Sequence, residues 1–147
     1  MPRATLTWKG NRRFDAEVEG HRLVIDGNPD GPTDGPTPMQ LVLPAIGGCS
    51  GMDVAAILEK KRVEVTTLTI EVDGVRRESP FPKVYTALDV VYTVRGRGVP
   101  PKAVEDAIRL SRDHYCSVSA MIAGPSFTWR YRIEDEDGRV TAAGTVE

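Results

Sequence analysis

Hydrophobic residues alternate with polar ones in two short stretches near the start of the chain, at residues 5–8 and 14–18, and a short apolar stretch follows at 23–25. A period of two is typical of a β-strand that buries one face. Turn residues at 9–11 and 19–21 separate the three stretches. The pattern therefore predicts a meander of three short strands.

The longest apolar stretch follows at residues 39–58 and carries a single charge. A helix that is apolar on every side belongs in the middle of a core, so the pattern predicts a long central buried helix. Thr37 is a suitable N-cap and Pro38 a suitable first helical residue, whereas Pro44 predicts a kink. The Pro- and Gly-rich segment 26–38 before the helix has the length of a functional lid or a crossing segment.

The second half of the chain switches between the periods of strands and helices. Residues 63–75 and 84–94 are rich in β-branched residues and alternate, which predicts a hairpin of two long strands. A helix with one apolar face begins at the Pro pair 100–101. A shorter helix at 117–123 ends before a Gly-Pro pair.

Two more strands are predicted at 127–133 and 139–146. The resulting order, βββ–α–ββ–αα–ββ, predicts an α+β fold with antiparallel sheet in a single domain that spans residues 1–147. The apolar faces comprise Leu68, Ile70 and Val72; Val84, Leu88, Val90, Tyr92 and Val94; Val104, Ala107, Ile108 and Ser111; and Phe127, Trp129, Tyr131 and Ile133.

Composition narrows the class of protein. At 147 residues the chain is long enough for a hydrophobic core without disulfide bonds. A net charge of −2 argues against a nucleic-acid-binding protein, and the absence of a run of about 18 purely apolar residues argues against a membrane span. The N-terminus lacks the apolar core of a signal peptide. We therefore expect a cytoplasmic protein whose two cysteines are reactive rather than joined in a structural disulfide.

The two cysteines lie in different surroundings. Cys49 lies within the apolar helix beside Gly47, Gly48 and Gly51, whose missing side chains leave room for a neighbouring backbone or a ligand. A small buried thiol that packs as a hydrophobe is the simpler interpretation. Cys116 lies at the N-terminus of the short third helix, where the helix dipole favours a thiolate. Local sequence therefore favours Cys116 as the more reactive thiol.

Three sequence motifs carry a resemblance to a known family. They are Pro-Met-Gln-Leu at 38–41, Ala-Ile-Gly-Gly-Cys-Ser-Gly-Met-Asp-Val at 45–54 and Tyr-Cys-Ser-Val-Ser at 115–119. Together they resemble the OsmC/Ohr family (osmotically inducible protein C and organic hydroperoxide resistance protein), and the Gly-Gly-Cys form is most similar to the YhfA-like subgroup. The resemblance implies an OsmC-like fold in which two chains form an intertwined homodimer with active sites at the subunit interface.

The resemblance also implies a reaction. Cys49 would be the peroxidatic thiol that an organic hydroperoxide oxidises to a sulfenic acid, and Cys116 the resolving thiol that condenses with it to a disulfide. A dithiol reductant, often lipoyl-linked in the family, would restore the pair. The implied protein is an antioxidant peroxidase of the oxidative stress response, with no metal or organic cofactor.

The family uses an arginine from the N-terminal strands to stabilise the thiolate and orient the peroxide. Arg12 and Arg13 lie at about that place, and we expect Arg13 to serve the site, although a solvated charge is the simpler alternative. A glutamate before the cysteine helix holds that arginine in the family. Met39 and Gln40 occupy its position here, so the salt bridge is missing or comes from elsewhere, and both residues are expected to lie at the substrate site.

Three further interpretations follow from the residues. Asp53 lies one helical turn after Cys49 and is expected to be a structural hydrogen-bonding group. His114 is expected to interact with a helix end rather than act as a base or a zinc ligand. A non-catalytic dimeric module that binds a small apolar molecule, or that senses redox state, is the alternative to the peroxidase.

Overall fold

The computed structural model describes all 147 residues, which form two compact units, Met1–Val42 and Leu43–Glu147. The order of strands and helices is the predicted one, with a π-helical turn added between the second and third helices. The elements are β1 (Ala4–Trp8), β2 (Arg13–Val18), β3 (His21–Asp26), α1 (Pro38–Lys60), β4 (Glu64–Arg76), β5 (Tyr85–Arg97), α2 (Pro101–Leu110), the π-helical turn (Ser111–Tyr115), α3 (Ser117–Met121), β6 (Ser126–Glu134) and β7 (Val140–Thr145).

The first unit contains the predicted meander, an antiparallel sheet in the order β1-β2-β3. The Pro- and Gly-rich loop after β3 is organised by Asp26. Its carboxylate accepts hydrogen bonds from the backbone N–H groups of Asn28 and Asp34, at 2.9 and 3.0 Å. Its own N–H donates to the carbonyl of Pro36 at 3.1 Å. These contacts give a defined path to a loop that has no regular secondary structure.

A capping box begins α1. The Gln40 N–H donates to Oγ1 of Thr37 at 3.2 Å, and the Thr37 N–H donates to Oε1 of Gln40 at 2.9 Å. This reciprocal pair satisfies backbone donors that the first helical turn leaves free, and it confirms Thr37 as the N-cap. The helix continues through Pro44 to Lys60 without a break.

The second unit contains a four-stranded sheet in the order β4-β5-β6-β7. Its outer pairs are antiparallel, as predicted, but β5 and β6 are parallel, with Ala87 opposite Ser126 and Arg95 opposite Glu134. The prediction of a purely antiparallel sheet is therefore wrong for this pair. The physical reason is the connection: α2, the π-helical turn and α3 carry the chain back to the end of the sheet at which β5 began, as a crossover must between parallel strands.

The core of the second unit uses the apolar faces that the periodicity predicts. The buried members on β5, α2 and β6 are Leu88, Val90, Tyr92, Val94, Val104, Ala107, Ile108, Trp129, Tyr131 and Ile133. Phe127 and the β4 residues Leu68, Ile70 and Val72 are only half-buried, and Val84, which precedes β5, is exposed.

Helix α1 buries one face only, so the prediction of burial on all sides is wrong for a single chain. The buried residues are Ile46, Gly47, Ser50, Gly51, Val54 and Leu58. One sheet covers one side of a helix, and the side chain of Met52 on the opposite side is 76% exposed. By length and composition alone, α1 meets the criteria for a membrane-spanning helix. Core helices of soluble proteins meet the same criteria. The exposed face of α1 is apolar and includes Ala45, Gly48, Met52, Ala55 and Ala56.

Candidate active site around Cys49 and Cys116

The glycines around Cys49 have two different roles. A Cβ atom on Gly51 would lie 2.4 Å from Cδ1 of Ile70, and one on Gly47 would lie 3.1 Å from Cγ2 of Val72. These two glycines let α1 approach β4 closely, so they serve packing. A Cβ on Gly48 would meet nothing within 4 Å. The expected opening of the helix surface near Cys49 is therefore present at Gly48 alone.

Two hydrogen bonds hold Cys116 in place, one through its backbone and one through its side chain. Its backbone N–H donates to the carbonyl of Ser111 at 2.8 Å, which closes the π-helical turn. Its Sγ accepts a hydrogen bond from the N–H of Ser119 at 3.5 Å, so the thiol caps α3. The residue is only 2% exposed. Cys116 is thus a held, buried group.

The structure brings the two thiols together and leaves them unpaired. Burial raises the pKa of the Cys116 thiol, and contact with the Cys49 sulfur raises it further. The contacts with Ser119 act in the opposite direction but do not outweigh burial. Burial therefore acts against the expectation from local sequence that Cys116 is the more reactive thiol. Cys49 is partly exposed, which makes it the more accessible of the two.

Beside the thiols lies a chain of hydrogen bonds between side chains. The Tyr92 hydroxyl bonds to Ser50, whose Oγ lies 3.0 Å from Oγ of Ser111, and Ser111 donates to Oδ2 of Asp53 at 2.9 Å. Asp53 is thereby confirmed as a structural hydrogen-bonding group. Sequence reasoning missed Ser50 and Tyr92 as members. The signal was a serine at a buried position of an otherwise apolar helix, because a buried hydroxyl needs a partner.

Arg13 is paired with carboxylates inside the first unit. Its guanidinium donates to Asp34, and its second terminal nitrogen lies 3.6 Å from Oδ1 of Asp15. Its Nε is buried without a hydrogen-bond partner. The side-chain carbonyl of Gln40, which occupies the position of the family's glutamate, bonds instead to Thr37. The acidic partner that the sequence lacks at 39–40 is therefore supplied by the preceding loop.

The remaining candidates are accounted for as follows. Arg12 is exposed, and its backbone carbonyl accepts a hydrogen bond from Gly27. Met39 is half-buried at the start of α1. His114 is exposed and lines a surface cleft with Lys61, Asp106, Arg109, Leu110 and Asp113. No group of three or more His, Cys, Asp or Glu residues is placed to hold a metal ion.

An apolar groove lies between α1 and β4 and includes Gly48, the residue before Cys49. It has a volume of about 380 Å³. Its walls are Leu43, Pro44, Gly47, Gly48, Ile70 and Val72. No charged side chain lines it, so its chemistry suits an apolar group.

Comparison with known proteins identifies the family. A family model described as OsmC-like protein matches residues 30–130. The chain belongs to the OsmC family. Protein YhfA of Escherichia coli is 37% identical to this OsmC-family chain over 120 residues, which cover 81% of the chain and 87% of YhfA. The resemblance to the OsmC/Ohr family and to YhfA is confirmed.

Solved structures agree with the OsmC fold. The crystal structure of a hypothetical protein from Aquifex aeolicus is 33% identical, covers 91% of this chain and 98% of its own, and superposes with a TM-score of 0.79. The organic hydroperoxide resistance protein OhrB of Bacillus subtilis is 13% identical, with a TM-score of 0.62 over 90% of this chain and 98% of its own. The second likeness is one of fold alone.

Proposed function

We propose that this OsmC-family protein is a thiol-dependent peroxidase of the oxidative stress response that reduces organic hydroperoxides in the cytoplasm. One observation carries the proposal: a partly exposed thiol, Cys49, adjoins a buried thiol, Cys116, whose pKa is raised. An accessible thiol that peroxide can oxidise, with a second thiol next to it that can close a disulfide, is the arrangement that a two-step dithiol oxidation needs.

The reaction divides into two balanced steps. The Cys49 thiol loses its proton, its sulfur attacks the terminal oxygen of the hydroperoxide, and the O–O bond breaks. Cys49 keeps the transferred OH as a sulfenic acid, and the alkoxide takes the proton released by the thiol and leaves as the alcohol. The Cys116 sulfur then attacks the Cys49 sulfur, the S–S bond forms, and the sulfenic hydroxyl leaves as water with the Cys116 proton. A dithiol reductant, such as a lipoyl-linked one, reduces the disulfide and is itself oxidised. No metal or organic cofactor takes part.

The apolar groove that includes Gly48, next to Cys49 in sequence, supports an organic rather than an inorganic peroxide. Its walls offer van der Waals contact to a hydrocarbon group and no charge to bind a small polar molecule. Following the family resemblance, we assign Arg13 as the cation that stabilises the thiolate, and Met39 and Gln40 as substrate contacts. The pairing of Arg13 with Asp34 supports its assignment, because an arginine held by carboxylates is oriented rather than free in solvent.

We further propose that the active form is an intertwined homodimer of single OsmC-like domains. The exposed apolar face of α1 supports this, because monomeric proteins rarely leave contiguous apolar surface of this kind in water. An interface of about 2,000 Å² or more is the size expected of an obligate dimer. A second copy over this face would complete the burial that the composition of α1 predicts.

The test compares reduced wild-type protein with Cys49→Ser and Cys116→Ser variants. Each is mixed with cumene hydroperoxide or hydrogen peroxide, and peroxide and free thiols are followed over time. We expect the wild type to consume cumene hydroperoxide faster than hydrogen peroxide, and Cys49→Ser to consume neither. Cys116→Ser should turn over once and leave a sulfenic acid on Cys49 that dimedone traps.

Two outcomes would reject this assignment. A sulfenic acid trapped on Cys116 would reverse the roles of the cysteines. Wild-type consumption rates in both single variants would remove the peroxidase and favour the alternative, a dimeric module that binds a small apolar molecule in the groove or senses redox state. The apolar groove between α1 and β4 is the observation that favours that alternative.

A further inference from the structure

Four side chains from three elements form one continuous chain of hydrogen bonds, which we call the hydroxyl chain: Tyr92, Ser50, Ser111 and Asp53. Ser50, Tyr92 and Ser111 are completely buried. Burying three hydroxyl groups is costly unless each is hydrogen-bonded. Leu, Val or Ala at these positions would fill the core without needing hydrogen-bond partners. The hydroxyl chain therefore needs an explanation beyond packing.

The direction of the hydroxyl chain follows from counting protons. Each hydroxyl carries one proton, and a carboxylate only accepts. Because Ser111 gives its proton to Asp53, the proton between the two serines must come from Ser50. The proton between Ser50 and Tyr92 must then come from the tyrosine. All three hydroxyls therefore donate towards Asp53, and the Tyr92 oxygen keeps its acceptor capacity.

The hydroxyl chain joins the segments that carry the two thiols. Ser50 follows Cys49 directly on α1, and Tyr92 lies on β5. Ser111 opens the π-helical turn, and its backbone carbonyl accepts from the N–H of Cys116 at 2.8 Å. Burial is the main cause that raises the pKa of Tyr92, and its interaction with the Cys116 sulfur raises it further, so the tyrosine lies in the electrostatic environment of that thiol. A fully satisfied buried network of this kind rigidifies the elements that it connects.

From this geometry we propose that the hydroxyl chain positions Cys116 against Cys49 and thereby sets the rate of disulfide formation, with Ser111 as the principal positioning residue. The inference rests on the proposed peroxidase function and assigns residues to its second step. That step is attack of the Cys116 sulfur on the sulfenic sulfur of Cys49, with loss of water. None of the four residues takes up or releases a proton in it. Attack of peroxide on Cys49 does not depend on where Cys116 lies, so the two steps are separable.

The experiment measures the two steps separately in Ser111→Ala and Tyr92→Phe variants. Sulfenic acid formation is followed by dimedone trapping, and disulfide formation by loss of free thiols after one equivalent of cumene hydroperoxide. We expect disulfide formation to slow by roughly 10- to 100-fold, since a displacement of about 1 Å can cost that much, while sulfenic acid formation is unchanged. Tyr92→Phe removes only one oxygen atom, so it tests the hydroxyl chain even if Ser111→Ala folds poorly.

Tyr131→Phe is the matched control. Tyr131 is also buried, and its hydroxyl donates to Glu105, outside the hydroxyl chain. Tyr131→Phe removes the same hydroxyl oxygen as Tyr92→Phe, but from β6, the strand next to β5. A purely structural role for Tyr92 therefore predicts equal effects in the two variants. Equal effects, a parallel fall in both steps, or no change in disulfide formation would each overturn the inference.

A second measurement keeps this inference distinct from the proposed function. Glutathione disulfide can oxidise the Cys49–Cys116 pair without peroxide, and the equilibrium yields the effective concentration of one thiol against the other. We expect this value to fall in Ser111→Ala and Tyr92→Phe but not in Tyr131→Phe. If the wild type consumes no hydroperoxide, the proposed function fails, and this equilibrium still decides the positioning role.

Discussion

The guanidinium of Arg13 donates a hydrogen bond to the carboxylate of Asp34, a residue of the loop between β3 and α1. At the position of the glutamate expected from the family, this chain has Met39 and Gln40. The acidic partner of Arg13 in this chain is therefore a residue of the loop before α1. Its place is determined by Asp26, which accepts a hydrogen bond from the N–H of Asp34 at 3.0 Å.

Asp34→Asn is expected to lower kcat/KM for cumene hydroperoxide, because Arg13 loses a charged partner and its guanidinium becomes less well oriented. The free energy of unfolding should change by no more than about 1 kcal/mol, as for other exposed ion pairs. Steady-state kinetics and denaturant unfolding measure the two quantities. Asp30→Asn is the control, since it removes the same charge from the same loop without touching Arg13. Equal kinetics for the two variants would exclude a role for the Arg13–Asp34 pair.

Iodoacetamide at neutral pH is expected to modify Cys49 and to leave Cys116 unmodified until the protein unfolds. Cys116 is buried and its pKa is raised, so it stays protonated through the pH range in which an ordinary thiol ionises. In Cys49→Ser, modification of Cys116 should begin only above that range, because burial is the largest cause of the shift. Mass spectrometry of peptides from the two sites measures both rates. Faster labelling of Cys116 than Cys49 would contradict the assignment.

The loop before α1 is expected to respond to acid through Asp26. Hydrogen bonds from the backbone N–H groups of Asp34 and Asn28 hold the pKa of Asp26 below its usual range. Because the folded-state pKa is depressed, the stabilising contribution is present above the ordinary aspartate pKa and is lost as the pH falls through the lower, folded value. The amide proton shifts of Asn28 and Asp34 should titrate together at that lower pH. A midpoint at the ordinary aspartate value would count against these bonds.

Replacing Asp26 by alanine tests the same bonds at neutral pH. The N–H groups of Asn28 and Asp34 lose their acceptor, and we expect their hydrogen exchange to accelerate while that of β6 is unchanged. Asp30→Ala again serves as the control, because its carboxylate accepts from neither amide.

Met52→Asp is expected to weaken the proposed homodimer. Met52 is 76% exposed on the apolar face of α1, and an aspartate there would bury an unpaired charge in an interface. Sedimentation velocity over a range of concentrations measures the association. Val140→Asp, at an exposed apolar residue of β7, is the control and should sediment as the wild type does. A wild-type protein that sediments as a monomer at micromolar concentration would remove the dimer.

Periodicity alone was enough to predict the order of strands and helices and most of the core. The predicted face of α2, for example, includes Val104 and Ile108, and both are completely buried. The parallel pairing of β5 with β6 is invisible to periodicity, because both strands alternate in the same way whichever direction they run. Only the path of the connecting helices decides it.

The site was harder to predict than the fold because its chemistry depends on burial and on distant partners. The helix-dipole argument favoured Cys116, but it contained no term for the 2% exposure that keeps this thiol protonated. Glu134 is a similar case: it begins a run of four acidic residues, a pattern typical of exposed chain, yet it is 7% exposed and accepts hydrogen bonds from Arg95 and Arg132. In both cases a residue on another segment, or the lack of solvent, overrides the local pattern.

The π-helical turn determines where Cys116 lies relative to Ser111. The Cys116 N–H reaches back five residues to Ser111, where an α-helix would reach back four. In an α-helix over the same residues, Tyr115 would make that bond and Cys116 would lie about 100° further round the helix axis. The wider turn therefore places Cys116, rather than its neighbour, at the end that bonds back to Ser111, and a change that tightened it to an α-helical turn would rotate the thiol by more than a quarter of a circle.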